Sequence, residues 1–358
     1  MTTSNTASPS RILGIDIGGA NLKYATEDGR SFERSFPMWT RHEELGRQLT
    51  EDIQRFGDVR ALAVTMTGEL ADCFAGRADG VRRIVAQVTD CLPRVGLSTA
   101  GFYGTDGRFY NADSATENWE NIAASNWHAL AKSVGLRLIK DALLIDVGST
   151  TTDVIAIRDG DVLTHAATDY ERLREDCLVY VGCRRTPVCA LVSELRFRDE
   201  SVPVMNEVFA TIDDARLILG RQSEDSRDHE TADSHPRDRR HAKARLARMI
   251  GLDRDQMTDQ EVSDLSKQIL AAAETRIETA VTKWITILQT STQQSPTIVL
   301  SGHGQDLVRV PDDARVLDLR EELSGSVSRG APAWAVAVLA GEDAFMNAAC
   351  ETVKDAER

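Results

Sequence analysis

Two stretches of the chain repeat one alternation of apolar and polar positions. Gly14-Ile-Asp-Ile-Gly-Gly-Ala-Asn-Leu-Lys23 and Leu144-Ile-Asp-Val-Gly-Ser-Thr-Thr-Thr-Asp153 each open as an apolar, β-branched run, the pattern of a buried strand. An aspartate follows at the strand end (Asp16, Asp146), then a glycine and small or hydroxylated residues. A second strand is predicted over 22–26 in one copy and 153–157 in the other. Both close on Asp-Gly turns, Asp28-Gly29 and Asp159-Gly160, a strong hairpin signal. The copies are too far apart for a solenoid repeat and mark two similar domains.

Between and after them the periodicity predicts further elements. In the first half these are a third strand over 31–36 stopped by Pro37, a helix from a Thr40 cap to about 56, a buried strand over 61–66, a helix over 81–92 and a strand over 97–103. An amphipathic helix is predicted over 118–134, with Trp119 and Trp127 on one core face and Gly135 as its end. The second half reads as a third strand over 163–167, then a charged and polar stretch over 221–240 that in isolation resembles a flexible insert. A helix over 242–250 with Arg245 and Arg248 exposed comes next, followed by a long helix over 259–289 and a strand over 297–302. An apolar helix over 331–349 has Pro332 in its first turn. The predicted division is a loose tail over 1–10, a first domain over 11–140, a second over 141–330 and a C-terminal helix packing back on the first.

The repeated turn carries readable chemistry. Gly18, Gly19, Ala20 and Asn21 in one copy, and Gly148, Ser149, Thr150, Thr151 and Thr152 in the other, bring backbone N–H groups and hydroxyls close to a bound anion. Asp16 and Asp146 add negative charge at the same place, which fits a magnesium ion between carboxylate and phosphate. The alternative is an ordinary pair of β-hairpins. Glu69, in a loop at a strand's carboxyl end, is either a catalytic acid or base or a helix-start or surface glutamate. The segment Thr168-Asp169-Tyr170-Glu171-Arg172-Leu173 is unusual for its charge density. Arg184-Arg185-Thr186-Pro187 reads either as a clamp for carboxylate or phosphate or as two solvated arginines. Ser301-Gly302-His303-Gly304 is a late glycine turn in which backbone contact outweighs histidine chemistry.

Composition narrows the partners. The 358 residues suffice for two cores, and 42 basic against 56 acidic residues give a net charge of −14, which argues against nucleic acid and anionic membranes. No apolar run approaches the roughly 18 residues of a membrane span, and the first ten residues lack a signal core. Six cysteines without a Cys-x-x-Cys pair fit reduced thiols in a cytoplasmic enzyme. A small phosphorylated substrate remains the expected partner, and a homo-oligomer stays open.

With two Asp-Gly phosphate hairpins and a late Ser-Gly-x-Gly turn, the chain resembles the acetate kinase, sugar kinase, heat-shock ATPase and actin superfamily. Residues 14–23, 65–70, 144–153, 168–173 and 178–191, supported by Thr231-Ala232-Asp233 and 244–249, are similar to its hydantoinase/oxoprolinase branch. Within that branch they resemble proteins of tetrahydromethanopterin-linked one-carbon metabolism related to an archaeal methanofuran-biosynthesis enzyme. The resemblance implies α/β architecture, with two ribonuclease H-like, actin-like domains and a ligand cleft between them. It also turns the 221–240 stretch into a site-facing loop bearing Asp233.

The implied activity joins an aminomethylfuran-methyl diphosphate to the phenol of γ-glutamyltyramine with release of pyrophosphate. Lys23, the two turns and a magnesium ion near Asp16 and Asp146 would stabilise the leaving group. Glu69 or Asp169 would take the phenol proton, and Arg184 or Arg185, with Thr186 and Asp233, would hold the acceptor. The alternatives are an ATP-dependent kinase or amide-ring hydrolase, with Ser301, Gly302 and Gly304 seating the nucleotide, and a non-catalytic nucleotide-binding regulator.

Overall fold

The computed structural model describes residues 12–292, 295–323, 325–343 and 346. The tail expected over 1–10, and most of the helix end expected over 344–349, lie outside the described residues. The first sheet is built from β1 (Ile12–Ile17), β2 (Asn21–Thr26), β3 (Ser31–Ser35), β4 (Ala61–Met66), β5 (Ala100–Tyr103) and β6 (Phe109–Tyr110), in the order β3-β2-β1-β4-β5-β6. β1 pairs antiparallel with β2 and parallel with β4, so the sheet is mixed. Every residue of β1 and β4 is buried, which is why both read as continuous apolar runs.

A second sheet uses β7 (Ala142–Val147), β8 (Thr152–Arg158), β9 (Asp161–Val162) and β10 (Leu178–Val179). A separate hairpin joins β11 (Glu194–Phe197) to β12 (Glu200–Pro203), and β13 (Thr297–Gly302) and β14 (Val316–Asp318) return to the second sheet. Its order is β10-β8-β7-β13-β14, with β9 paired to β8 off that path. Counted along each repeat, both sheets therefore run third-second-first-fourth-fifth. This is the α/β, ribonuclease H-like and actin-like architecture expected from the resemblance.

The chain forms two compact units that are not contiguous in sequence. One takes the residues up to Ala142 together with Ile157–Arg172 and the chain from Asp318. The other takes Leu143–Ala156 and Leu173–Leu317. In the first unit the Ala331–Glu342 helix is buried from Ala331 to Ala340 and packs on β1, β2, β4 and the Asn126–Arg137 helix. Gly14 permits that contact, because a Cβ there would overlap the carbonyl oxygen of Ala333.

Several expected elements differ. The helix expected over 40–56 is broken into Met38–Arg41, a tight turn over His42–Glu44, and Leu45–Ile53. The Thr40 hydroxyl donates to Pro37 O (3.2 Å) instead of capping. The helix expected over 118–134 is two pieces, Trp119–Ile122 and Asn126–Arg137, and a separate short helix, Ala112–Glu117, precedes them. Its interruption centres on Ala124, a left-handed residue (φ 51°) whose N–H is drawn to Glu69. Gly135 lies inside the last piece, where a Cβ would overlap the carbonyl oxygen of Gly160 in the β8–β9 turn. The strand expected over 163–167 ends at Val162, and β10 takes the third place in the sheet.

In the second unit the stretch over 221–240 is pinned by ion pairs. Arg237 is buried and donates to Asp213 (2.6 Å), and its backbone bridges to Asp225. Arg245 is not exposed as expected. It is fully buried and donates to Asp214 (2.7 Å) and Asp233 (3.0 Å). Arg248 does reach solvent.

Candidate functional site

In the first unit, β1 delivers Asp16 at its carboxyl end, and the β1–β2 register sets Lys23 opposite it. Lys23 Nζ lies 4.0 Å from Asp16 Oδ2, while Asp16 Oδ1 is buried without a hydrogen-bond partner. Burial raises the Asp16 carboxyl to about 6, against the opposing pull of Lys23. The turn between the strands is closed by Gly18 N–H donating to Asn21 O (3.0 Å). The carbonyls of Gly19 and Ala20 accept from Met38 and Phe36. Among the described residues, no backbone carbonyl accepts from the N–H of Gly19 or Ala20. A Cβ at Gly19 would meet nothing within 4 Å. Unpaired amides beside open space are the geometry of an anion nest.

The carboxyl end of β4 adjoins this turn. Thr67 N–H donates to Ile17 O (3.0 Å), and a Cβ at Gly68 would sit 3.1 Å from the carbonyl oxygens of Ile17 and Gly18. The next residue is Glu69, only 1% exposed, so it is no surface glutamate. Its Oε1 accepts from Ala124 N–H (2.9 Å), and its Oε2 is buried with no partner. Burial lifts this carboxyl to about 7, with Asp169 adding to the rise and backbone donors and Arg77 opposing it. Asp169 opens the Asp169–Glu175 helix and lies 3.5 Å from Arg172. Arg172 is itself buried, its guanidinium 4.2 Å over the Trp127 ring.

The second unit repeats the turn with different bracing. Gly148 N–H donates to Thr151 O (2.9 Å), and Ser149 O accepts from the N–H groups of Arg184 and Arg185. Thr152 is buried, with its hydroxyl on Val181 O (2.7 Å). Gly182 packs against the backbone of Ser149 and Thr150, leaving no room for a side chain. The late glycine turn closes on the same strand end: His303 and Gly304 N–H donate to Val147 O, and a Cβ at Gly302 would lie 2.8 Å from Asp146 Oδ1. Ser301 Oγ is buried and unpartnered.

The remaining sequence candidates have structural partners. Arg184 pairs with Asp228 (2.6 Å), the Thr186 hydroxyl bonds the backbone of Gly182 on both sides, and Asp233 holds Arg245 and Arg248. Arg185 donates its backbone N–H to the Ser149 carbonyl (2.8 Å). Among the described residues, no group of three or more His, Cys, Asp or Glu has metal-holding geometry.

Comparison with known proteins places this arrangement. The hydantoinase/oxoprolinase profile matches residues 60–337. The chain belongs to the hydantoinase/oxoprolinase family. It is 33% identical over 339 residues to the (4-{4-[2-(gamma-L-glutamylamino)ethyl]phenoxymethyl}furan-2-yl)methanamine synthase of Methanocaldococcus jannaschii, spanning 92% of this chain and 97% of that protein. The synthase of the same name from Methanococcus vannielii is 28% identical over 216 residues, 58% of this chain and 95% of that protein. Among solved structures, nucleotide-free acetone carboxylase is similar at TM-score 0.48 and 14% identity, over 91% of this chain and 70% of that one.

In this family member the sequence pattern assigned no site role to Ala124, Trp127, Arg172 or Gly182. Trp127 was placed on a core face, Arg172 lay in the charged 168–173 segment, and Gly182 followed an apolar run. Their effect on the site comes through contacts between distant segments.

Proposed function

We propose that the protein forms an aryl furan-methyl ether from an aminomethylfuran-methyl diphosphate and a γ-glutamyltyramine-type phenol, releasing pyrophosphate. Similarity to the Methanocaldococcus synthase over 97% of that protein's length carries this reading. The buried carboxylates at neighbouring strand ends supply its chemistry. The phenol oxygen bonds to the furan-methyl carbon as that carbon's bond to the diphosphate breaks, and the phenol proton passes to a base. Glu69, raised to about 7, matches a base working near neutrality. The charge of Asp169 supports its raised affinity for a proton.

The leaving group needs donors. The amides of Gly19 and Ala20 and the ammonium of Lys23 supply them in the first unit. The Gly148–Thr152 turn, with its Ser149, Thr150 and Thr151 hydroxyls, offers the same chemistry in the second. A magnesium ion suits Asp16, whose unpartnered Oδ1 is a hard oxygen donor, and Asp146 offers the same donor type in the second unit. When bound, the ion would neutralise charge developing on the diphosphate.

A second reading, ATP-dependent phosphoryl transfer or hydrolysis, rests on the late turn with the unpartnered Ser301 hydroxyl. Incubating the protein with magnesium and either ATP or the furan diphosphate plus γ-glutamyltyramine separates the two. Pyrophosphate formed only with the furan pair, and lost in Asp16→Asn, supports ether formation. ADP formation in place of pyrophosphate overturns it.

A further inference from the structure

The first unit holds a pocket of about 330 Å³ that the phosphate chemistry leaves unused. Its walls come from the Gly104–Gly107 turn at the carboxyl end of β5, the start of the Asn126–Arg137 helix, and the segment after β9. Its volume is at the lower end of the roughly 300–1,000 Å³ of small-ligand sites. Two of its lining residues carry polar atoms with unmet demand. Trp127 is 3% exposed and its Nε1–H has no acceptor, and Thr105 Oγ1 is likewise buried and unpartnered. Both are suited to an oxygen of a bound molecule.

The pocket also carries charge of both signs. Lys132 lines it and pairs with Asp161, while Asp106 adds a second carboxylate that already accepts from Tyr110 OH (2.6 Å). His128 is bonded through Nδ1 to Tyr103 OH (2.9 Å), and burial holds it near 4, so it is neutral at physiological pH. Arg108 lies 3.8 Å from Asp106 but outside the lining, where two carboxylates face one lysine; that balance favours a ligand ammonium, while the unmet Trp127 donor favours a ligand carboxylate. The edge-on rings of Trp127 and His128, 5.4 Å apart, give an apolar wall for methylene carbons.

We propose that this pocket binds the amino-acid head group, ammonium and carboxylate together, of the acceptor substrate. The proposal rests on the transfer reaction above for the identity of the acceptor, whose γ-glutamyl end is such a head group. The connection to the reacting end runs through two neighbouring residues. Arg172 covers the Trp127 ring and also holds Asp169, and Ala124, three residues before Trp127, bonds Glu69. These contacts link the pocket wall to the carboxyl proposed as base.

The test is calorimetry on the full chain with γ-L-glutamyltyramine, L-glutamate and tyramine, for wild type, Trp127→Phe and Asp106→Asn. Trp127→Phe removes the N–H and keeps an aromatic face for Arg172 to lie over. Binding of γ-L-glutamyltyramine is expected to weaken about tenfold in each variant, with L-glutamate competing. Tyramine should bind weakly and be indifferent to both changes. Unchanged γ-L-glutamyltyramine affinity in both variants, or an equal loss for tyramine, overturns the pocket. Asp106→Asn, at a part-exposed turn, keeps the test open if Trp127→Phe fails to fold. The two readings fail separately. Trp127-dependent head-group binding without any pyrophosphate release sinks the transfer reaction and leaves the pocket. Pyrophosphate release with wild-type acceptor KM in both variants does the reverse.

Discussion

Glu69 and Asp16 are buried carboxyls with one oxygen each left without a partner, and burial raises the proton affinity of both, which for Glu69 sets opposite pH dependences for stability and for rate. Glu69 rises from an ordinary 4.5 to about 7, so the folded protein binds more protons than the unfolded chain between those values. Its contribution to stability is fully present below pH 4.5 and is lost as pH rises through about 7, a change of roughly 3 kcal/mol. Glu69→Gln should flatten that decline in thermal melts recorded from pH 4 to 8. As a base, Glu69 must instead be ionised, so kcat/KM should climb through pH 7. The same variant should remove that limb and lower the rate by about 10²–10⁴. A pH–rate profile unaltered in Glu69→Gln assigns the proton to another group.

Arg245 shows how burial inverts a surface expectation. Its charge is sealed between Asp214 and Asp233, and Arg245→Leu strands Asp214 in the interior. A loss of about 3–5 kcal/mol is expected in urea unfolding. A loss below 1 kcal/mol would mean the pair has no structural role.

Glycines punctuate the elements, and their positions were legible while their purposes were not. Gly135 reads as a helix stop, yet the Asn126–Arg137 helix runs through it because the β8–β9 turn presses its backbone against that face. Gly135→Ala should destabilise by about 1–3 kcal/mol, measured by chemical denaturation. Gly19 makes the opposite case, since an added Cβ meets no atom within 4 Å. Gly19→Ala is expected to melt like wild type but to bind magnesium pyrophosphate more weakly, because the methyl group enters the face of the nest. Equal affinity would place the anion elsewhere.

Across the whole chain, both strand repeats, the charge balance and the long Asp259–Thr292 helix followed from local pattern. Among the described residues no helix is long and apolar enough to cross a membrane. The C-terminal helix illustrates dependence on the remainder of the fold: residues 331–340 are all buried. A chain ending at Leu317 should lose the cooperative melting transition of the first unit, and a retained transition would show that β1 needs no such cover. Magnesium pyrophosphate at 100 times its dissociation constant should add about 2.7 kcal/mol to the stability of the full chain.

Strand runs, Asp-Gly turns and the two glycine-bearing turns after β1 and β7 were written locally, because apolar runs and turn chemistry depend on neighbours along the chain. Broken helices, the buried Arg245, the raised Glu69 and the Trp127 pocket were decided only by tertiary contact. Each depends on a group distant in sequence that removes water or supplies a partner: Gly160 against Gly135, Ala124 against Glu69, Arg172 against Trp127. Desolvation is a property of the packed interior, and no local sequence window contains it.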